Sequence, residues 1–74
     1  METFDYVIRD KDFGSYYGYE NDPEYSGWFL GRISDAVSYN SIAAAQSVID
    51  SPEGPEASKN CVICKRTMIV EVVV

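Results

Sequence analysis

The chain has no histidine, only two cysteines, and half as many basic as acidic side chains. Each shortage removes a class of chemistry. Without histidine there is no imidazole base to activate a serine and no imidazole ligand for a metal. Six Lys and Arg against twelve Asp and Glu leave a net charge of -6. That excess disfavours a role built on neutralising phosphates with a basic face. No uninterrupted apolar run is longer than four residues, far below the roughly 20 needed to span a bilayer. The segment Met-Glu-Thr-Phe-Asp has neither the basic nor the apolar stretch of a secretory leader, so the expected compartment is the cytoplasm. With 74 residues the expectation is one domain, 1–74. A chain of this length buries only about 60% of its unfolded surface, so its core is thin. A homodimer, a metal or a disulfide is the kind of support that small domains add.

Within those limits the hydrophobic pattern is informative. Phe4, Tyr6 and Ile8 alternate across Thr3–Arg9 and predict a strand. Residues 10–14 are polar and end in glycine, which predicts a turn. Ser15–Glu20 carries Tyr16, Tyr17 and Tyr19 and predicts a second strand hairpinned to the first. Asn21-Asp22-Pro23 breaks it, and Gly27–Leu30 predicts a short third strand around Trp28. Trp28 with Phe29 reads as core, with the rim of a binding interface as the alternative. Residues 31–35 predict a turn region, and 36–39 a short extended piece.

Asn40 or Ser41 can cap a helix that continues through Ile42 and three alanines to Ile49. Ile42, Ala45, Val48 and Ile49 form its apolar stripe, and Pro52 ends it. At about nine residues it is too short to stand alone in water and has to pack on a sheet. Residues 51–58, rich in proline, glycine and charge, predict a connection. Asn60–Val74 is dominated by β-branched residues. Val62, Cys64, Met68, Val70, Val72 and Val74 share one parity, which predicts that this side covers the core. Lys65-Arg66-Thr67 is a candidate bulge or turn dividing the run into two strands. Lys59, Lys65 and Arg66 are expected to shield a sheet edge. The fold class is therefore α+β: a small antiparallel sheet of three to five strands with one helix packed on one face.

Two constellations bear on chemistry. Cys61-x-x-Cys64 is half of a zinc site, and the chain has no further cysteine and no histidine to complete a tetrahedron. The pair lies in an apolar β run instead of at a helix N-terminus, where thioredoxin-like motifs sit. The expectation is two reduced thiols, one packed in the core, with no metal and no cofactor. The second constellation is acidic and aromatic. Asp10, Asp12, Glu20, Asp22 and Glu24 fall within fifteen residues that also hold Tyr16, Tyr17 and Tyr19, with Tyr25 adjoining. Carboxylates steer a surface toward a basic partner, and tyrosines anchor it once contact is made. The expected partner-binding residues are Tyr17, Tyr19, Glu20, Asp22, Glu24 and Tyr25. No catalytic residue is expected.

The order of segments also carries a resemblance. Tyr6-Val7-Ile8-Arg9, the aromatic Tyr16-Tyr17, Gly27-Trp28, then Ala36-x-x-Tyr39-x-Ser41 leading into an alanine-rich helix and a valine-rich final strand resemble small accessory proteins of bacteriophages and mobile elements. Many of those are anti-defence proteins, anti-CRISPR proteins among them. The likeness lies in the order and character of the segments and assigns no residue a role. It implies a small acidic protein, acting in a host cytoplasm, that binds and blocks a host complex such as a nuclease or CRISPR effector. Such proteins often mimic the charge of DNA or cover a nucleic-acid-binding surface. The alternatives are a metal- or redox-dependent homodimer using Cys61 and Cys64, and a phage structural or assembly subunit.

Overall fold

The computed structural model describes residues 2–24, 26–55, 60–69 and 73. Four strands, β1 (Glu2–Asp10), β2 (Tyr16–Asn21), β3 (Ser26–Gly31) and β4 (Cys61–Ile69), and one helix, α1 (Ile42–Asp50), follow one another with a 3-10 turn at Ile33–Asp35 between β3 and α1. The sheet order is β3-β2-β1-β4, with antiparallel pairing throughout. The α+β class expected from the pattern is the observed one. No helix among the described residues is long and apolar enough to cross a membrane.

The turn after β1 is built by Asp10. Its Oδ1 accepts the backbone N–H groups of Asp12 and Phe13, each at 2.9 Å, and the Gly14 N–H reaches the Asp10 carbonyl at 3.0 Å. Gly14 closes the turn at φ 71°, a conformation that costs glycine nothing. Beyond this turn the structure departs from a simple hairpin. β1 and β2 are in register at Arg9 and Tyr16, and then they separate. Residues 37–39 fill the gap. The Val37 N–H donates to the Tyr17 carbonyl at 3.2 Å, and Tyr6 and Tyr39 exchange two N–H···O bonds of 2.9 Å each. The inserted segment thus satisfies backbone groups that the splayed strands leave open.

β1 pairs with β4 along its whole length, from Glu2–Ile69 to Asp10–Cys61. Lys65, Arg66 and Thr67 lie within this unbroken ladder, so the division of the C-terminal run proposed at those residues does not occur. The extended pairing partner supplied by β1 holds them straight.

Strand side chains alternate between faces. On one face Ile8, Tyr17, Ala45 and Ile49 are buried, with Trp28, Tyr39, Val48, Cys61 and Ile63 packed around them. The β4 parity that meets this core is therefore Cys61 and Ile63. The more apolar parity, with Val62, Cys64 and Met68, points to the other face, and Met68 is exposed. Val70, Val72 and Val74 lie outside the described residues. The opposite face is not bare. The 3-10 turn lies against it at Gly18 and Gly31, where a Cβ would meet Asp35 atoms at 2.6 and 3.0 Å. The chain thus passes from the 3-10 turn on one face, through the β1–β2 gap, to α1 on the other. With cover on both faces, the adjacent residues Val7 and Ile8 are both fully buried.

α1 begins where its cap places it: the Ser41 Oγ accepts the Ala44 N–H at 3.0 Å. Ala45 and Ile49 are buried and Val48 is half-buried, but Ile42 is 57% exposed and does not join the core.

Candidate functional site

Three aromatic rings step outward from the core to the surface. Tyr17 is 7% exposed and Tyr19 48%, with half-buried Trp28 between them. Trp28 meets Tyr17 edge-to-face at 6.5 Å between centroids and Tyr19 edge-to-face at 5.2 Å. Register explains the arrangement. Tyr17 and Tyr19 share a parity on β2, and Trp28 pairs with Tyr19 across the β2–β3 ladder, so all three point to the helix side.

Trp28 also anchors the chain leaving α1. Its Nε1–H donates to the Glu53 carbonyl at 2.9 Å. Gly54 lies so close to the Val48 carbonyl that no Cβ fits there. These contacts shape an open cleft of about 760 Å³ between the C-terminal half of α1 and the β2–β3 ribbon. Tyr19 and Trp28 form one wall, with half-buried Val37 and Val48 beside them. Exposed Ser47, Ser51 and Glu53 line the remainder, on the helix side.

The β2–β3 turn adjoins this cleft through Tyr19. Glu20, Asp22 and Glu24 are all exposed there. The Asp22 Oδ1 accepts the Glu24 N–H at 2.9 Å, which shapes the turn. Glu20 follows Tyr19 on the strand and so points to the opposite face.

The residues expected to bind a partner thus separate. Tyr19, Glu20, Asp22 and Glu24 are at the surface. Tyr17 is in the core: its ring packs with Ile8, Ala45 and Ile49, and its hydroxyl reaches the buried Asp10 Oδ2 at 3.5 Å. Its packing against β1 and α1, which Tyr19 on the same face does not share, is the physical reason, and it corrects the assignment of Tyr17 to the contact face. Tyr25 lies outside the described residues. Val37, Val48 and Glu53 carried no local signal for a cleft, because their meeting with Trp28 depends on the chain threading between β1 and β2.

Several of the remaining polar groups have structural roles, while the buried Arg9 Nε has no hydrogen-bond partner among the described residues. Burial raises the Cys61 thiol pKa above its ordinary value; the neighbouring Asp10 adds to this and the contact with the Tyr17 hydroxyl opposes it. Burial likewise raises the Tyr17 phenol, helped by Cys61 and Asp10. A thiol held in its neutral form is a poor nucleophile and a poor metal ligand. Cys61 and Cys64 form no disulfide, and as strand residues three apart they point to opposite faces. Among the described residues no group of three or more Cys, Asp or Glu is placed to hold a metal ion.

On the far face Arg66 donates through Nε to Asp5 Oδ1 at 2.9 Å and through Nη2 to Asp5 Oδ2 at 2.5 Å. Its Nη1 reaches the Ile33 carbonyl at 2.6 Å, and the Ser38 hydroxyl donates to Asp5 Oδ2, also at 2.6 Å. Arg66 is thus a clamp between the sheet and the 3-10 segment, not an edge guard. Lys65 lies over the exposed Phe4 ring at 4.3 Å. Neither cation faces the cleft.

Comparison with known protein families, curated proteins and solved structures finds no match for this chain.

Proposed function

We propose that this chain is an acidic, non-enzymatic binding protein that blocks a basic surface of a host protein complex. The target class is a nuclease or CRISPR effector, whose nucleic-acid-binding surface it covers or whose nucleic-acid ligand it imitates in charge. The observation that carries this reading is the adjacency of the Tyr19–Trp28 pair, at the mouth of an open cleft, to the exposed carboxylates of the β2–β3 turn. Aromatic rings supply contact area at small entropic cost, and tyrosine and tryptophan dominate binding hot spots. Carboxylates at a protruding turn raise the encounter rate with a cationic surface. The chain's charge of -6 works in the same direction over longer range.

The test is capture followed by kinetics. The immobilised chain is used to capture a protein from host lysate, and association and dissociation are then measured with that protein in purified form. The reading requires a partner whose bound surface is basic and whose nucleic-acid binding or cleavage is inhibited. A partner that binds with no salt dependence and keeps full activity would refute it.

A further inference from the structure

The cleft beside α1 has a chemical polarity of its own. Among the described residues that line it, Glu53 is the one with a charged side chain. The last turn of α1 borders the cleft through Val48 and Ser51, contains Asp50, and has no basic residue. A helix C-terminus carries a partial negative charge, which proteins usually offset with Lys or Arg in the last turn. Here that compensation is missing, and a carboxylate stands at the same end. Opposite are the rings of Tyr19 and Trp28, whose faces attract cations. Half-buried Val37 and Val48 offer apolar surface for a hydrocarbon stem, and Ser47 and Ser51 carry hydroxyls that accept N–H donors.

We propose that this cleft is a receptor for an arginine side chain of the partner. The guanidinium stacks against the Tyr19–Trp28 wall, donates to the Glu53 carboxylate and the serine hydroxyls, and offsets the partial negative charge at the end of α1. Arginine fits better than lysine because its planar group stacks on aromatic rings and donates in several directions at once. The inference rests on the acidic-surface reading above and adds to it the kind of side chain recognised and the place where it is held. The acidic turn brings the basic partner in, and the cleft retains it.

Trp28 is the single tryptophan of the chain, so fluorescence excited selectively at the indole reports on the wall of the cleft. The probe is a capped tri-arginine peptide, compared with tri-lysine and with the uncharged tri-citrulline analogue of the same shape. Fluorescence titration is paired with amide chemical-shift mapping of the labelled chain. Expected are a saturable Trp28 response to tri-arginine, a weaker one to tri-lysine and none to tri-citrulline, with shifts at Ser47, Val48, Ser51 and Gly54. Tyr19→Ala and Glu53→Gln, both at exposed positions, each weaken tri-arginine binding by about two- to fivefold. Asp12→Asn makes the same change in net charge outside the cleft and leaves the affinity within the scatter of the wild type. Shifts confined to Glu20–Glu24, with the cleft amides unmoved, overturn the cleft proposal while leaving the acidic-surface reading intact. An equal response to tri-citrulline also overturns it. Absence of any shift with tri-arginine overturns both.

Discussion

Arg66 grips Asp5 across the β1–β4 ladder with both ends of its guanidinium fork, at 2.9 and 2.5 Å, while its third nitrogen holds the Ile33 carbonyl. The pair is directly in register and nearly buried, so one interaction ties the edge strand, the central strand and the 3-10 segment together. Removing one partner leaves the other as an unmatched charge in a poorly hydrated site. Asp5→Ala is expected to destabilise the fold by about 2–4 kcal/mol, measured by urea unfolding. A loss below a few tenths would show that the pair is solvated and mechanically unimportant.

The same pair sets an acid limit. Hydrogen bonding from Arg66 holds the Asp5 pKa below its ordinary 3.8, with Ser38 and the Arg66 charge adding to the effect and burial opposing it. A lowered folded-state pKa means that the stabilisation is complete above the unfolded-state value. It is lost as the pH falls through the folded-state value. Stability of the wild type should therefore hold at neutral pH and decline below about pH 4. The Asp5→Asn profile should be flatter over that range. Parallel profiles for the two proteins would contradict the assignment.

Gly18 is required where β2 passes beneath the 3-10 turn. A Cβ there would lie 2.5 Å from the Phe29 ring and 2.6 Å from the Asp35 carbonyl oxygen. The ring can swing aside, but the backbone oxygen cannot without moving the turn. Gly18→Ala is expected to cost about 1–3 kcal/mol by thermal or chemical unfolding. Gly14→Ala, in open space at positive φ, tests conformational strain without a clash.

Much of this architecture was legible from local pattern. Alternation at Phe4, Tyr6 and Ile8, the aspartate–glycine turn at 10–14, the Ser41 cap and the Pro52 stop each encode one element through short-range chemistry. What was not legible depends on a single non-local event, the passage of residues 37–39 between β1 and β2. That passage decides which face α1 covers, and hence which parity of β4 meets the core. Hydrophobicity alone favoured the Val62–Cys64–Met68 side, whereas the helix lies over Cys61 and Ile63. The same event puts Tyr17 inside and leaves Tyr19 at the surface, although the two read identically in sequence. It also brings Val37, from the inserted segment, to Trp28 and Val48, which is why the cleft has no sequence signature.

Cys61 should behave as a poorly reactive thiol. Burial beside Asp10 raises the Cys61 pKa, so its thiolate is scarce near neutrality. Iodoacetamide labelling at pH 7.5, mapped by mass spectrometry, should modify Cys61 far more slowly in the folded chain than in urea, with a rate that climbs with pH. Cys61→Ser together with Cys64→Ser should retain the fold with a loss of about 1 kcal/mol. Stoichiometric zinc in the wild type, lost in the double variant together with dimerisation, would contradict this and favour a shared metal site.

The central claim is that the acidic turn steers the chain to a basic partner and the aromatic wall holds it there. It is tested most directly by the association rate of Glu20→Ser/Asp22→Ser/Glu24→Ser against the captured partner at low and high salt. The three carboxylates are exposed, so the variant should fold and melt like the wild type. Because exposed charges are screened within about 8 Å at physiological ionic strength, the wild-type on-rate should fall steeply as salt rises. The triple variant should associate more slowly at low salt and converge on the wild type at high salt, with its off-rate little changed. Equal on-rates for the two proteins at both salt concentrations would show that the turn is an ordinary solvated surface and would refute the proposed function.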